Sequence, residues 1–295
     1  MSEPLKNRVE FSILMEVING NPNGDPDNAN HARVDDETGL GIISDVCTKR
    51  KIRNYVKTVK KEADGYRIYI DNDEPLNEKH KAAWAQVKKI EKAKLKAKEI
   101  ENFPNGTEEG KALQRFMAEQ YFDIRTFGAV MSTAVNCGVL TGPVQINFGR
   151  SIDPVTVQDL TITRHALTTE KDFAEKENTM GAKNIIPYGL YRIDGYVSPG
   201  QAEKTGFSEE DFDLVIDALQ NMYEVDHSAQ RGQLNSRKVV VYRHSSPLGE
   251  APSWKVFDTL KVKKKDDIAY PRKFDDYDVT LDTSSLPESI KVTEY

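Results

Sequence analysis

Residues 44–61 read SDVCTKRKIRNYVKTVKK, and their spacing orders the rest of the chain. Ile52, Val56 and Val59 recur at helical spacing and predict one packed stripe. Lys49, Arg53, Lys57 and Lys60 recur on a neighbouring stripe. Ser44 is a good N-cap and Asp45 suits a first turn, so the helix is expected to start there. Between Lys49 and Lys61 there are seven Lys or Arg and no acid, in a chain of formal net charge −6. One side of this helix is expected to pack on a sheet while the other presents a row of cations, for which a polyanion is the natural partner. A basic run alone is commonly a solvated helix face, so its neighbours decide its meaning.

On the N-terminal side, Val9, Phe11, Ile13, Met15 and Val17 alternate with Arg8, Glu10, Ser12 and Glu16, with Leu14 the exception. That pattern predicts a half-buried strand. Residues 19–41, NGNPNGDPDNANHARVDDETGLG, carry the strand into the helix. The segment is dense in turn formers and too long for a passive connection.

On the C-terminal side, residues 66–70 read as a short strand and 76–101 as a lysine-rich helix that packs Ala82, Ala83, Trp84, Val87 and Ile90. Thr107 is expected to start another helix with Leu113, Phe116, Met117 and Tyr121 inward. Residues 62–122 are therefore expected to be a helical insertion. Residues 123–142 mix apolar residues with Gly and Thr and give no firm assignment. Val144, Ile146, Phe148 and Ile152 alternate as one strand. Residues 153–184 lose the pattern and predict a protruding hairpin or loop, before Ile185–Val197 returns to strand. Ser208 and Asp211 form a capping-box signature ahead of a helix with Phe212, Val215, Ile216, Leu219, Met222 and Tyr223 inward. The polar loop DHSAQRGQLNSR, residues 226–237, leads into a strand at Lys238–Arg243.

Without the insertion and the 153–184 excursion, the order is strand, helix, strand, strand, helix, strand. This predicts an α+β chain of the split βαβ, ferredoxin-like kind that RNA-recognition domains also use. Its 295 residues suffice for a full core. The acid excess argues against indiscriminate nucleic-acid binding but permits one basic lane. MSEPLKNRVEF has no apolar run after its charges, so no signal peptide is expected, nor any membrane span, and the chain is expected to be cytoplasmic.

The chemistry-bearing signals are weak one by one. Asp25 and Asp27 begin a calcium-loop template that fails at Ala29 and Asn30. Gly39-Leu40-Gly41 is no dinucleotide fingerprint, and Arg125-Thr126-Phe127-Gly128-Ala129-Val130 lacks two positions of an RNA-binding sheet motif. Any RNA is therefore not expected on a standard aromatic sheet face. His31, His80, His165, His227 and His244 have no zinc spacing, and Cys47 and Cys137 stand alone, so no metal or cofactor is expected. Cys47 lies among cations near a helix start, yet reads best as structural.

Taken together, NGNPNGDPDNAN, SDVCTKRKIRNYV, YFDIRTFGAVM, GPVQINFGRSIDP, TMGAKNIIPYGLYRIDGYVS and GFSEEDFDLVIDALQNMYEVDHSAQRG resemble the backbone subunit of a type I-C CRISPR surveillance complex. This is the Cas-seven family, Csd-two type, of the Cascade assembly, and the resemblance runs from about residue 8 to about residue 245. It implies an RRM-like palm (residues 1–61, 123–152 and 185–250), helical fingers (62–122), a thumb hairpin (153–184) and a C-terminal extension (251–295). It implies copies stacked head to tail along one CRISPR guide RNA, with the guide exposed for pairing with target DNA. Other Cascade subunits and a separately recruited nuclease-helicase are the remaining implied partners, with no membrane.

By position, the resemblance implies RNA contacts from Asn21, Asn23, Ser44, Lys49, Arg50, Arg53, Arg150, Arg164, His165, Lys183, Arg231 and Gln233. Leu167 and Met180 are the candidate thumb wedges. The chain is expected to be non-catalytic. One alternative is a target-RNA-cleaving subunit that uses Asp25, as related type III backbone subunits use a loop aspartate. Another is a globular interaction module with a solvated basic helix. Charge reversal at Lys49 and Arg53 is expected to abolish RNA-dependent assembly while the fold survives.

Overall fold

The computed structural model describes residues 3–164, 166 and 179–295. His165 and Leu167 lie outside the described residues, as do the side chains of Arg164 and Met180. Strand β1 (Val9–Gly20) leads through the short pair β2 (Gly24–Asp25) and β3 (His31–Ala32) to β4 (Leu40–Ile43) and helix α1 (Asp45–Lys60). Helices α2 (Leu76–Lys88), α3 (Ala97–Ile100), α4 (Glu108–Gln120) and α5 (Phe122–Phe127) follow, then a hairpin of β5 (Gly128–Ser132) and β6 (Asn136–Thr141). Next come β7 (Val144–Ile146), β8 (Gly149–Pro154), β9 (Gln158–Arg164) and the nineteen-residue β10 (Thr179–Val197). The chain continues through α6 (Pro199–Thr205), α7 (Glu209–Asn221), β11 (Gln233–Arg243) and α8 (Ser253–Phe257), then β12 (Leu260–Lys264), β13 (Tyr277–Leu281) and β14 (Lys291–Glu294).

Among the described residues, eight strands form one antiparallel sheet in the order β14–β11–β1–β10–β8–β4, with β7 and β9 also paired to β10. Phe11, Ile13, Met15 and Val17 point to one face, where Ile52, Tyr55 and Val56 of α1 and Phe212, Val215 and Leu219 of α7 cover them. The caps are those expected. Ser44 accepts from the Cys47 amide, and Ser208 and Asp211 close a reciprocal capping box. The phase of α1 differs from expectation. Its buried stripe is Thr48, Lys51, Ile52, Tyr55 and Val56, while Val59 is 43% exposed.

The half-buried β1 is corrected, because both faces of the strand are covered. Leu14, Tyr188, Leu190, Val240 and Tyr242 on the second face pack under Ala251, Val256, Leu260, Tyr277 and Ile290 of the C-terminal extension. Burial of the polar residues on that side is tolerable because each has partners. Glu10 accepts from Arg8 Nε at 2.6 Å and from Ser253 Oγ at 2.9 Å, and lies 2.7 Å from His244 Nε2. Glu16 accepts from the Tyr188 hydroxyl at 3.0 Å and from Asn235 Nδ2 at 3.2 Å. Arg192 donates to the Phe257 and Leu260 carbonyls at 2.8 and 2.9 Å and pins the extension to β10.

A separate core joins Trp84, Leu113, Met117 and Tyr121 of the helical region to Met131 and Cys137 of the β5–β6 hairpin. Other expectations are also revised. The short strand at 66–70 is a single bridge between Arg67 and Tyr121. The 76–101 helix stops at Lys88, where Lys89 turns left-handed, and the chain re-enters the core at Ile100. The strand expected over 144–152 is broken into β7 and β8, with Phe148 57% exposed between them. The unassigned stretch after residue 122 is α5 followed by the hairpin, so Arg125 and Phe127 sit on a helix.

Candidate nucleic-acid interface

The C-terminal end of β1, the loop before α1, the base of the β9–β10 hairpin and the loop before β11 meet at one corner of the sheet. Main chains touch there. A Cβ on Gly20 would lie 1.8 Å from the Arg231 carbonyl oxygen, and one on Gly232 would lie 2.2 Å from that of Asn19. Gly232 also has a φ of +61°, a region open to glycine at little cost. The amide of Asn21 donates to the Gln230 carbonyl at 3.0 Å, which locks the two loops together.

Two predicted contacts prove to organise the loop. Asn21 Nδ2 donates to the Asn30 carbonyl at 2.7 Å. Asn23 Oδ1 accepts from the Ser44 amide at 2.8 Å and its hydroxyl at 2.9 Å, so it holds the start of α1. Asn184 Oδ1 accepts from the Ala32 amide at 2.7 Å and ties the hairpin base to the same loop. Lys183 Nζ reaches the Ala229 carbonyl at 3.4 Å, and Gln233 lies exposed opposite Ile18.

A polar pocket of about 330 Å³ opens at this corner, lined by Asn30, Cys47, Lys51, Ser228, Gln230 and Arg231 among others. Behind two of these lining residues, the buried Asp226 carboxylate takes Lys51 on one oxygen and Arg231 on the other. Burial pulls the Lys51 ammonium below its ordinary value, against the attraction of Asp226. Burial pushes the Cys47 thiol up, and its Sγ donates to the Pro22 carbonyl at 3.4 Å, which favours the structural reading of that residue.

The row of cations expected to face a polyanion from α1 is instead largely engaged by neighbouring groups. Lys49 pairs with Asp45 at 2.9 Å, and Arg53 Nε donates to Asp123 at 2.7 Å. Lys57 pairs with Asp71, and Arg50 donates to the Ile70 carbonyl at 2.9 Å. Asp123 is itself buried, where it accepts from the Tyr69 and Ile70 amides. Arg53→Glu would set a second carboxylate against it. The Lys49 and Arg53 double reversal is therefore expected to lose the fold together with any binding, visible as a collapsed thermal transition.

Arg150 lies away from this corner on β8, paired with Asp35 at 2.9 Å. Arg164 and Met180 hold strand positions opposite Thr179 and Thr163. Asp25 caps a short 3₁₀ turn and pairs with Arg33 at 3.1 Å. Among the described residues, no group of three or more His, Cys, Asp or Glu side chains is placed to hold a metal. Nor is any helix among them long and apolar enough to cross a membrane.

Sequence reasoning missed Lys51 and Asp226. Lys51 was visible as one of seven cations, but only the true helix phase separates it from the others. Asp226 opens the polar loop and carried no motif.

The family model for CRISPR-associated protein Cas7 matches residues 7–282. The chain belongs to the Cas7 family. A CRISPR-associated protein Cas7 from Haloferax volcanii is 27% identical over 235 residues, which cover 71% of this chain and 62% of that relative. A chain of a structure described as "CRISPR RNA-guided surveillance complex, pre-nicking" superposes with a TM-score of 0.50 at 11% identity. It covers 85% of this chain and 86% of its own length, a likeness of fold. A chain of a "CRISPR RNA-guided surveillance complex" reaches a TM-score of 0.45 at 13% identity, over 80% of this chain and 68% of its own. The Cas7 match spans the sheet apart from β14, and both loops that form the polar corner.

Proposed function

We propose that this chain is a non-catalytic, guide-RNA-binding backbone subunit of a type I-C CRISPR surveillance complex. The observation that carries the reading is the cationic polar pocket at the rim of the sheet in a chain of the Cas7 family. Copies stack head to tail along the guide and present it for pairing with target DNA in the cytoplasm, together with other Cascade subunits and a recruited nuclease-helicase. A heterologous contact that does not close yields an open helical filament. Phosphate contacts hold RNA of any sequence, and base pairing supplies specificity.

The palm is read as RRM-like. Its support is the sheet order β11–β1–β10–β7 with α1 and α7 on one face. Residues 153–184 are the proposed thumb. The fingers are proposed to reach Thr141, since the β5–β6 hairpin closes their core. With the second face of the sheet under the C-terminal extension, RNA is assigned to the rim, near Lys51, Lys183, Arg231 and Gln233. Lys49, Arg50, Arg53, Arg150 and Arg164 remain contacts proposed by resemblance.

Co-expression with a guide RNA tests the reading. Size-exclusion chromatography with light scattering is expected to give a multi-copy particle that contains RNA, and a monomer free of RNA would overturn it. Incubation of that particle with labelled complementary RNA and magnesium is expected to leave the RNA intact. Cleavage that disappears in Asp25→Ala would overturn the non-catalytic assignment.

A further inference from the structure

We infer that Asp226 is a positioning residue that sets Lys51 and Arg231 as a two-pronged clamp for one backbone phosphodiester at the floor of the corner pocket. The inference rests on the guide-RNA reading and adds to it a named site, its charge balance and the residue that arranges it. The charges carry the argument. Two cations and one carboxylate leave a single net positive charge, which one phosphodiester neutralises.

Geometry agrees with charge. Asp226 engages Lys51 and Arg231 through separate oxygens, so both cations are held near one point. Lys51 retains donors beyond the one used, and Arg231, 35% exposed and lining the pocket, bonds Asp226 through Nη1 and retains Nε and Nη2. Asn30 and Gln230, whose side chains are amides of the kind that suit phosphate or ribose oxygens, line the same pocket. Lys51 reaches this position from the buried side of α1, where an ammonium without a carboxylate would be costly. Asp226 therefore keeps a buried cation charged and aimed at the pocket.

This reverses the simple electrostatic expectation. Removal of an acid beside an RNA site ordinarily strengthens binding. Here Asp226→Asn is expected to weaken it by roughly tenfold or more, the scale of a lost hydrogen bond to a charged group. Asp226→Glu is expected to restore most of that loss, which a merely structural aspartate would not require. Lys51→Gln and Arg231→Gln are each expected to reduce the salt slope of binding by roughly 0.7 per subunit, and the triple variant that also carries Asp226→Asn, which keeps the site uncharged, by no more, because both cations hold one phosphate.

The test titrates full-length protein with a fluorescent single-stranded oligoribonucleotide over a salt series, alongside the same oligomer with neutral methylphosphonate linkages. The variants are expected to narrow the difference between the two oligomers. Equal or tighter binding by folded Asp226→Asn, or additive slopes in the triple variant, overturns the inference while the guide-RNA reading stands. Should Asp226→Asn fail to fold, Arg231→Gln decides, since its side chain is partly exposed: an unchanged slope overturns the clamp. Wild-type protein that binds neither oligomer overturns the guide-RNA reading and the clamp with it.

Discussion

Arg125→Met is expected to lower folding stability by about 3–5 kcal/mol, the range for breaking one side of a buried ion pair. The guanidinium meets Asp211 with two parallel hydrogen bonds of 2.8 Å, at 7% and 4% side-chain exposure. Its Nη1 also donates to the Ala118 and Gly65 carbonyls at 2.9 and 3.0 Å. Methionine would strand a buried carboxylate and leave those acceptors unfilled. Asp211 also closes the capping box of α7, so the damage reaches the helix that covers the sheet. Urea denaturation followed by tryptophan fluorescence measures the loss. Lys57→Met is the control. Its ion pair with Asp71 is 41% exposed on the lysine side, and its removal is expected to cost no more than about 1 kcal/mol. Equal losses in the two variants would mean that the Arg125–Asp211 pair is not the tie between α5 and α7.

Deletion of residues 251–295 is expected to remove soluble folded protein altogether. Val256, Leu260 and Ile290 would leave the second face of the sheet, each with about 1.5–3 kcal/mol of burial. Together with the aromatic contacts this rivals the whole net stability of a domain, about 5–15 kcal/mol. Leu14, Leu190 and Val240 would be bared, and Glu10 would lose its bond from Ser253. A milder probe is Arg192→Ala, which removes the donors to the Phe257 and Leu260 carbonyls. It is expected to raise dye binding to apolar surface and to speed proteolysis between residues 245 and 252. Full solubility of the truncated chain, with native circular dichroism, would show that the sheet does not depend on its cover.

The sequence order of strand, helix, strand, strand, helix and strand was legible because alternation and helical spacing are strong over β1, α1, α7 and β11. The caps at Ser44 and Ser208 were legible for the same local reason. What escaped reading depends on distant partners. Glu10 and Glu16 look solvent-facing in sequence because their partners Tyr188, Asn235, His244 and Ser253 lie far along the chain. The C-terminal extension alternates basic and acidic clusters, which hides its few buried anchors. On α1, charge alone could not separate cations neutralised by Asp45, Asp71 and Asp123 from Lys51, which shares one acid with Arg231 of the loop before β11. Lys183 and Arg231 were read from resemblance and do lie at the corner, whereas Arg150 lies apart from it.

The meeting of β1 with the loop before β11 carries a lesson for variant surveys. Two residues that own no side chain decide whether the corner exists. On the guide-RNA reading, any replacement at Gly20 or Gly232 would register in a screen as a defect in ligand capture, although neither position has a functional group to offer. A hunt guided by charge would pass over both, and a hunt guided by phenotype would mistake hinges for hooks.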